Sequence, residues 1–231
     1  MLCCGGGEPE LRVLSTAEIS AESLRSILAD WSFRRVVVCS VVPWAAEVIS
    51  SFMKGLVLVQ VNAENVKDVD FSGYPGCATL GADRVANVLA AVCYAPLPLV
   101  AVDMGTATTL DVVVQGAEGP KFAGGMIAPG LSAVAGCLSR CTAQLSSVNL
   151  NIESPVIGRN TEEAMASAVC VGYPGMMDSL LDAIESELGE RVHVIVTGGD
   201  AARLAPAMRH KCTLVPSLTL EGIARVAHIS L

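Results

Sequence analysis

The densest group of residues able to carry chemistry is the segment Asp103–Thr109, which reads Asp-Met-Gly-Thr-Ala-Thr-Thr. A buried strand is predicted to deliver the aspartate, Gly105 permits a tight turn after it, and hydroxyl residues follow. Backbone N–H groups and hydroxyls in such a turn suit a phosphate, while Asp103 suits a cation. An ordinary hairpin turn explains this stretch, taken alone, about equally well.

A second candidate group, Gly81-Ala82-Asp83-Arg84, comes directly before an apolar helix predicted over Val85–Val92. A carboxylate at the start of a helix can cap it or can act as a base. The arginine can orient an anionic group through two parallel hydrogen bonds. A helix cap and a surface arginine also account for the group, so by itself it does not assign a function.

Two further loops are rich in glycine: Gly124–Gly130, and Thr197–Asp200 at the end of a predicted strand. Paired glycines and a Pro-Gly turn indicate close approach of backbone, and strand ends are where α/β sheets bind ligands. Four such loops together favour a ligand site. The sequence has no P-loop, dinucleotide-binding or nucleophile-elbow motif. The scattered histidines are interpreted as structural: His193, His210 and His228.

Composition excludes several classes of function. The 231 residues are 52% hydrophobic and 16% charged, which is typical of a folded chain with a real core. A net charge of −8 argues against nucleic acid as a partner. Nine cysteines without a CxxC motif, and no secretory signal after Met1, predict reduced thiols and a cytoplasmic location. The longest apolar run, Val88–Val102, is too short and too broken by proline to span a membrane.

The elements that must position these residues are Val- and Ile-rich strands alternating with helices. A meander with turns at Gly105 and Gly116 is predicted in the middle of the chain, and Pro174 is expected to kink or restart a helix that begins near Asn160. Pro96–Pro98 marks a join between lobes 1–96 and 97–231. The other predictions are strands at Val36–Cys39, Val57–Val59, Val100–Val102, Leu110–Val114, Lys121–Ile127, Val192–Val196 and near Leu214, and helices at Ala21–Trp31 and Leu220–Ala227.

Taken in order, these segments resemble type III pantothenate kinase, a family of the acetate and sugar kinase/Hsp70/actin superfamily. The resemblance runs from about Leu11 to the C-terminus. It implies an α/β fold with two RNase H-like (actin-like ATPase) lobes, each a mixed sheet flanked by helices. The matching segments are Cys39–Pro43, Tyr74, Gly81–Asn87, Val102–Asp111, Gly124–Leu131, Ile157–Ala164 and Thr197–Ala201.

The resemblance implies ATP-dependent phosphorylation of pantothenate to 4'-phosphopantothenate, the first step toward coenzyme A. Asp83 would be the base that accepts the hydroxyl proton. The residues that would hold pantothenate in the same lobe are Tyr74, Gly81, Ala82 and Arg84.

The resemblance also implies roles in the second lobe. Asp103 would bind a monovalent cation, potassium or ammonium, while Gly105 and Thr106 would meet the phosphates of ATP, which enters with magnesium. Thr161 would contact pantothenate across the interface of a homodimer. No membrane is implied as a partner.

One feature of the family pattern is not found in this sequence. The family begins with a strand ending in Asp-x-Gly-Asn-Thr, so the first lobe is expected to lack its first strand. Met1–Ser15 resembles the segment that comes after that strand: a strand at Leu2–Cys4, a turn at Gly5–Glu8 and a return strand at Leu11–Ser15. Two explanations stay open: a true start further upstream, or an impaired or truncated relative acting as a ligand-binding or regulatory accessory factor. The retained site residues favour the first.

Overall fold

A computed structural model describes residues 2–4, 10–31, 35–141, 148 and 155–227 of the protein. The chain separates into two compact units, residues 1–90 with 217–231 and residues 91–216. The strands β1 to β9, in chain order, are Leu2–Cys4, Glu10–Arg12, Arg35–Val38, Val57–Gln60, Leu99–Met104, Ala107–Gly116, Gly119–Pro129, His193–Thr197 and Cys212–Leu214. The helices α1 to α7 are Ala21–Ile27, Pro43–Phe52, Ala82–Ala91, Leu131–Cys141, Thr161–Leu188, Ala201–Leu204 and Leu218–Val226.

In the first unit the described strands form two separate pairs. Strands β1 and β2 are antiparallel, and β3 and β4 are parallel. Helices α1 and α2 supply a small apolar cluster centred on Leu24, Leu28 and Met53. The strands predicted around residues 2, 36 and 57 are thereby confirmed, while the turn predicted at Gly5–Glu8 lies outside the described residues.

Helix α7 returns to the first unit near the end of the chain and packs on α3. A Cβ placed on Gly222 would lie 1.9 Å from the carbonyl oxygen of Ala86, so the two helix backbones are in direct contact. The Thr219 hydroxyl donates a 2.7 Å hydrogen bond to Oδ1 of the buried Asn87. The lobes predicted at 1–96 and 97–231 stay a prediction, but the compact units differ from them by placing 217–231 with the first 90 residues.

The second unit is built on one mixed sheet with the strand order β7-β6-β5-β8-β9. The meander β5-β6-β7 is antiparallel, as predicted, and β5 pairs in parallel with β8. Leu99, Val100, Ala101 and Val102 of the central strand β5 are fully buried, because helices cover the sheet. This sheet holds the end of β5 in a fixed position.

Helix α5 covers this sheet over 28 residues. It begins after the capping residue Asn160, whose side chain accepts from the N–H of Glu163, and it ends at Gly189 in a left-handed conformation. The chain stays helical through Pro174, so of the two outcomes predicted there, a kink or a restart, the restart is wrong. Proline removes one hydrogen bond of the helix. The residues on either side of it, Tyr173 and Met177, are buried in the core of this unit.

None of the described helices is long and apolar enough to cross a lipid bilayer.

Candidate active site

The end of β5 carries Asp103 to an edge of the sheet where several strands meet. Strand β8 runs parallel to β5 and ends beside it, with Thr197 opposite Asp103. Strand β6 begins and β7 ends at the same edge, where Ala107 pairs with Pro129. Asp103 is half-buried there, and Thr106 is exposed at the tip of the turn into β6. The sheet therefore presents an aspartate and a threonine hydroxyl on one rigid loop.

Two glycines from distant parts of the chain close around this loop. A Cβ on Gly130 would lie 2.2 Å from the Gly105 carbonyl oxygen, and one on Gly198 would lie 2.6 Å from Oδ1 of Asp103. The N–H of Gly130 donates to the Thr106 carbonyl at 3.2 Å, and the N–H of Asp200 donates to that of Met104 at 3.0 Å. Three of the four loops singled out in the sequence thus lie together.

The surroundings of Asp103 fit a cation and a phosphate. Its Oδ1 lies against Gly198 and would be 3.5 Å from a Cβ on Gly105, so glycine on both sides leaves the carboxylate uncovered by side chains at these positions. Carboxylate and carbonyl oxygens are the ligands that hard cations prefer. Glycine at Gly105 also lets a phosphate approach the backbone N–H groups.

A buried hydroxyl network supports the loop from behind. The Thr108 and Tyr173 hydroxyls are 2.6 Å apart, and Tyr173 also donates to the carbonyl oxygen of Pro129 at 3.1 Å. Burial raises the pKa of Tyr173 above its usual value, the hydrogen bond to Thr108 works against this, and the charge of Asp200 adds to it. Tyr173 was missed in the sequence, although a tyrosine in a buried helix must find a partner for its hydroxyl.

In the first unit, Asp83 lies in the first turn of α3 and folds back over the residue before the helix. Its Oδ1 accepts the backbone N–H of Arg84 at 2.8 Å, and a Cβ on Gly81 would lie 2.5 Å from the same oxygen. The positive end of the helix dipole favours a carboxylate at this position. Asp83 is half-buried, so the carboxylate is both positioned and reachable.

The segment Cys39–Pro43 lies next to Asp83. Burial, and after it the negative charge of Asp83, raises the pKa of the Cys39 thiol to about 12. The Cγ1 atom of Val41 would be 3.5 Å from a Cβ on Gly81. Two segments that the sequence analysis matched separately are therefore neighbours in the fold.

Tyr74 and Thr161 lie on other elements. Tyr74 is half-buried in the loop before α3, and its ring covers Gly76, where a Cβ would meet Cε1 at 2.9 Å. Thr161 is the exposed first residue of α5. The chain before it is held by Ser167, whose hydroxyl donates to the carbonyl of Val156 at 2.6 Å. Tyr74 and Thr161 belong to different units.

A mixed sheet covered by helices, with an Asp-x-Gly-Thr loop at the end of its central strand, defines an α/β protein with a loop suited to a phosphate. The sequence profile of the type III pantothenate kinase family matches residues 9–183. The chain belongs to the type III pantothenate kinase family.

Individual relatives extend the match beyond the profile. A type III pantothenate kinase of Akkermansia muciniphila is 38% identical over 226 residues, covering 96% of this chain and 90% of the relative. One of Methylacidiphilum infernorum is 35% identical over 227 residues, covering 96% and 82%. Both alignments span the segments that hold Asp83 and Asp103.

The fold is shared with a solved structure from Campylobacter jejuni, described as a conserved Baf-family transcriptional activator. The TM-score is 0.60 at 19% identity, with 88% of this chain and 86% of the other covered. The predicted class, α/β with mixed sheets flanked by helices, is confirmed.

Proposed function

We propose that this chain catalyses the ATP-dependent phosphorylation of pantothenate to 4'-phosphopantothenate, the first step toward coenzyme A. The observation that carries the proposal is the family match over residues 9–183, which includes Asp83, Asp103 and Thr161 in a single alignment. Phosphoryl transfer needs positioned reactants and stabilised charge more than it needs covalent chemistry. A pocket built from glycine, threonine and aspartate, with bound cations, supplies both.

In the first unit, Asp83 takes the proton from the primary hydroxyl of pantothenate as that oxygen attacks the γ-phosphorus. Its place in the first turn of α3, where it accepts the backbone N–H of Arg84, holds the carboxylate in one position, as a general base must be held. The backbone at Gly81 and Ala82 and the guanidinium of Arg84 hold pantothenate beside it, and Tyr74 lines the same pocket. The half-burial of Gly81, Ala82 and Arg84 supports these roles.

In the second unit, Gly105 and Thr106 contact the phosphates of ATP. Asp103 holds potassium or ammonium, and magnesium enters with the nucleotide. When bound, these cations neutralise charge on the phosphates during transfer. The support for this assignment is that Gly105 and Gly198 place no side chain beside Oδ1 of Asp103.

Thr161 contacts pantothenate from the neighbouring subunit of a homodimer. The support is its exposure at the start of α5 together with two exposed apolar neighbours, since the Val156 and Ile157 side chains are accessible to 73% and 83%. Exposed apolar side chains in a cluster are typical of a surface that another chain covers.

We place the reaction in the cytoplasm. Six cysteines of the described residues form no disulfide, as expected where thiols are kept reduced. They are Cys39, Cys77, Cys93, Cys137, Cys170 and Cys212.

The test is formation of phosphopantothenate by the purified chain with ATP, magnesium and potassium, compared between Asp83→Asn and Asp30→Asn. Asp30 is an exposed carboxylate after α1 and serves as the matched control. We expect Asp83→Asn to lower kcat by about 100-fold or more, as loss of a general base does. Asp30→Asn should match the unaltered chain.

Equal turnover in the two variants would remove Asp83 from the chemistry. Failure of the unaltered chain to form the product would contradict the proposed activity itself.

A further inference from the structure

One face of α5 in the second unit carries three carboxylates. Asp178, Asp182 and Glu185 are spaced four and three residues apart, which places them on one side of the helix. Asp178 is buried, Glu185 is half-buried and Asp182 is exposed. The row therefore leads from the core to the surface, on residues to which the kinase proposal gives no role.

His210 reaches this row from the segment before β9. Its Nδ1 is 2.8 Å from Oδ1 of Asp178, which also accepts the backbone N–H groups of Arg209 and His210 at distances near 3 Å. Burial raises the pKa of Asp178, but these hydrogen bonds and the Arg209 guanidinium outweigh it, so the pKa lies below its usual value. The contact at Nδ1 orients the ring so that its other nitrogen, Nε2, faces Asp182 and Glu185.

The Nε2 atom of His210 is buried and has no hydrogen-bond partner within the described part of the chain. The side chain is only 8% exposed, and Nε2 faces Oδ1 of Asp182 at 3.5 Å and Oε2 of Glu185 at 3.8 Å. Those distances are too long for good hydrogen bonds. A buried ring nitrogen without a partner normally has a reason, such as an ion.

The same distances suit a metal ion between the three side chains. Two ligand atoms that each lie about 2.1 Å from a tetrahedral ion are about 3.4 Å apart. The ligand atoms of Asp182, Glu185 and His210 all lie within 4.8 Å of one another. A carboxylate that orients a metal-binding histidine through its second nitrogen, as Asp178 does, is the usual support for such a ligand.

We propose that Asp182, Glu185 and His210 bind a divalent transition-metal ion, of which Zn²⁺ fits best, with Asp178 as the positioning residue. One imidazole nitrogen and two carboxylate oxygens match the ligand types of zinc and leave a coordination position for water. The two carboxylates balance the charge of the ion. The ion joins α5 to the segment that leads into the edge strand β9, so its role is structural.

Two arginines form ion pairs with the carboxylates that would bind the metal ion. Arg209 contacts Oδ2 of Asp182 at 2.8 Å, whereas the oxygen that faces His210 is Oδ1. Arg191 contacts Oε2 of Glu185 at 2.9 Å. Both guanidinium groups are on exposed side chains, 67% and 85% accessible, and pairs of this kind contribute little to stability. They can turn into solvent when an ion binds.

The competing explanation is a protonated His210 that pairs with the surrounding carboxylates and binds no metal. It shares the geometry but predicts no metal dependence. Metal binding and protonation are therefore distinguished by measurements made with and without the ion.

The experiment uses the full chain, stripped with a chelator, kept reduced, and titrated with Co²⁺ and then with Zn²⁺. We expect one equivalent of Co²⁺ to give visible absorption bands of a nitrogen- and oxygen-ligated site, and Zn²⁺ to displace it. Zn²⁺ should also raise the Tm. His210→Gln, and separately the double variant Asp182→Asn with Glu185→Gln, should bind at least about tenfold more weakly and lose the rise in Tm.

Glu187→Gln is the matched control, because Glu187 is an exposed carboxylate on the same helix outside this cluster. It should bind Co²⁺ like the unaltered chain. Equal binding by all variants, or a thiolate–cobalt charge-transfer band showing that cysteines hold the ion, would overturn the proposal. So would the absence of saturable binding, which would leave the protonated histidine.

Discussion

The backbone at Gly198 has a φ of +98°, a region that residues with a Cβ rarely adopt, and it lies against the loop that carries Asp103. A Cβ there would also approach the Met104 carbonyl oxygen to 2.5 Å, and backbone cannot turn aside as a side chain can. Gly198→Ala should destabilise the protein by about 1–3 kcal/mol and displace the Asp103 carboxylate. The expected result is a Tm lower by several degrees and a raised KM for ATP.

Gly199→Ala is the control for this prediction. A Cβ on Gly199 would have no atom within 4 Å. The free energy of unfolding of this variant should therefore lie within about 0.5 kcal/mol of that of the unaltered chain. If the two alanine variants behave alike in thermal unfolding and ATP kinetics, Gly198 does not constrain the loop.

The thiol of Cys39 reports on Asp83. Because burial and the Asp83 charge raise its pKa to about 12 from the ordinary 9.0, the thiolate fraction at pH 8 should be about 1000-fold smaller. A thiol reagent at pH 8, followed by mass spectrometry of peptides, should therefore label the exposed Cys93 much faster than Cys39. Labelling of Cys39 should accelerate as pH rises toward its pKa.

Asp83→Asn should speed the labelling of Cys39, since it removes a negative charge that opposes the thiolate. Labelling of Cys93 serves as the internal reference. An unchanged ratio between the two cysteines would show that Asp83 does not lie close to Cys39.

Single residues were predictable where one short segment contains the whole signal. Asp83 and Asp103 each lie beside a glycine and an apolar run, so their segments could be recognised. His210 and Tyr173 could not, because their partners come from segments more than 25 residues away. The spacing of Asp178, Asp182 and Glu185 was the available sign of a polar face on α5.

At the scale of elements, the contact between α7 and α3 fixes the helix that begins with Asp83. Gly222→Ala would place a Cβ against the Ala86 backbone, and the helices would have to separate. We expect a loss of about 1–3 kcal/mol in the free energy of unfolding, as overpacking causes, and a raised KM for pantothenate. Chemical denaturation and steady-state kinetics measure the two effects.

Gly175→Ala provides the contrast, because it lies in α5 with open space around its missing Cβ. Alanine is favoured over glycine inside a helix, so this variant should gain up to about 1 kcal/mol. If both substitutions lowered the free energy of unfolding equally, the loss would come from replacing any glycine inside a helix and not from the contact between α7 and α3.

Strands were predicted better than helix bounds. Runs of Val and Ile on β5 and β8 are buried on both faces, which gives a strong local signal, whereas Val36 and Val37 of β3 are half-buried. Helix α2 was missed because only Pro43 marks its start and Val42 provides no side-chain cap. Helix α1 was predicted to Trp31 and ends at Ile27, since nothing in the local pattern marked the turn after it.

For the molecule as a whole, the proposed homodimer predicts that a substitution in its interface lowers the mass of the protein particle in solution. Ile157→Asp places a charge on an exposed apolar residue beside Thr161, and burying that charge against another subunit would be costly. Light scattering after gel filtration should show a smaller mass than that of the unaltered chain. The KM for pantothenate should rise, because Thr161 would then lose its neighbouring subunit.

Val13→Asp is the control, since Val13 is 76% exposed and belongs to the other unit. It should leave mass and kinetics unchanged. A monomeric unaltered chain, or a dimer that tolerates Ile157→Asp, would contradict the proposed role of this surface.

The first unit is discontinuous in sequence, and this affects the order in which the protein folds during its synthesis. Helix α3 emerges from the ribosome early, but its packing partner α7 is synthesised only after the whole of residues 91–216. At ordinary rates of translation this delay is on the order of ten seconds. During that interval the face of α3 that receives Gly222 stays uncovered on the nascent chain. The second unit can fold first, and the Asp83 helix acquires its final support only at the end of synthesis.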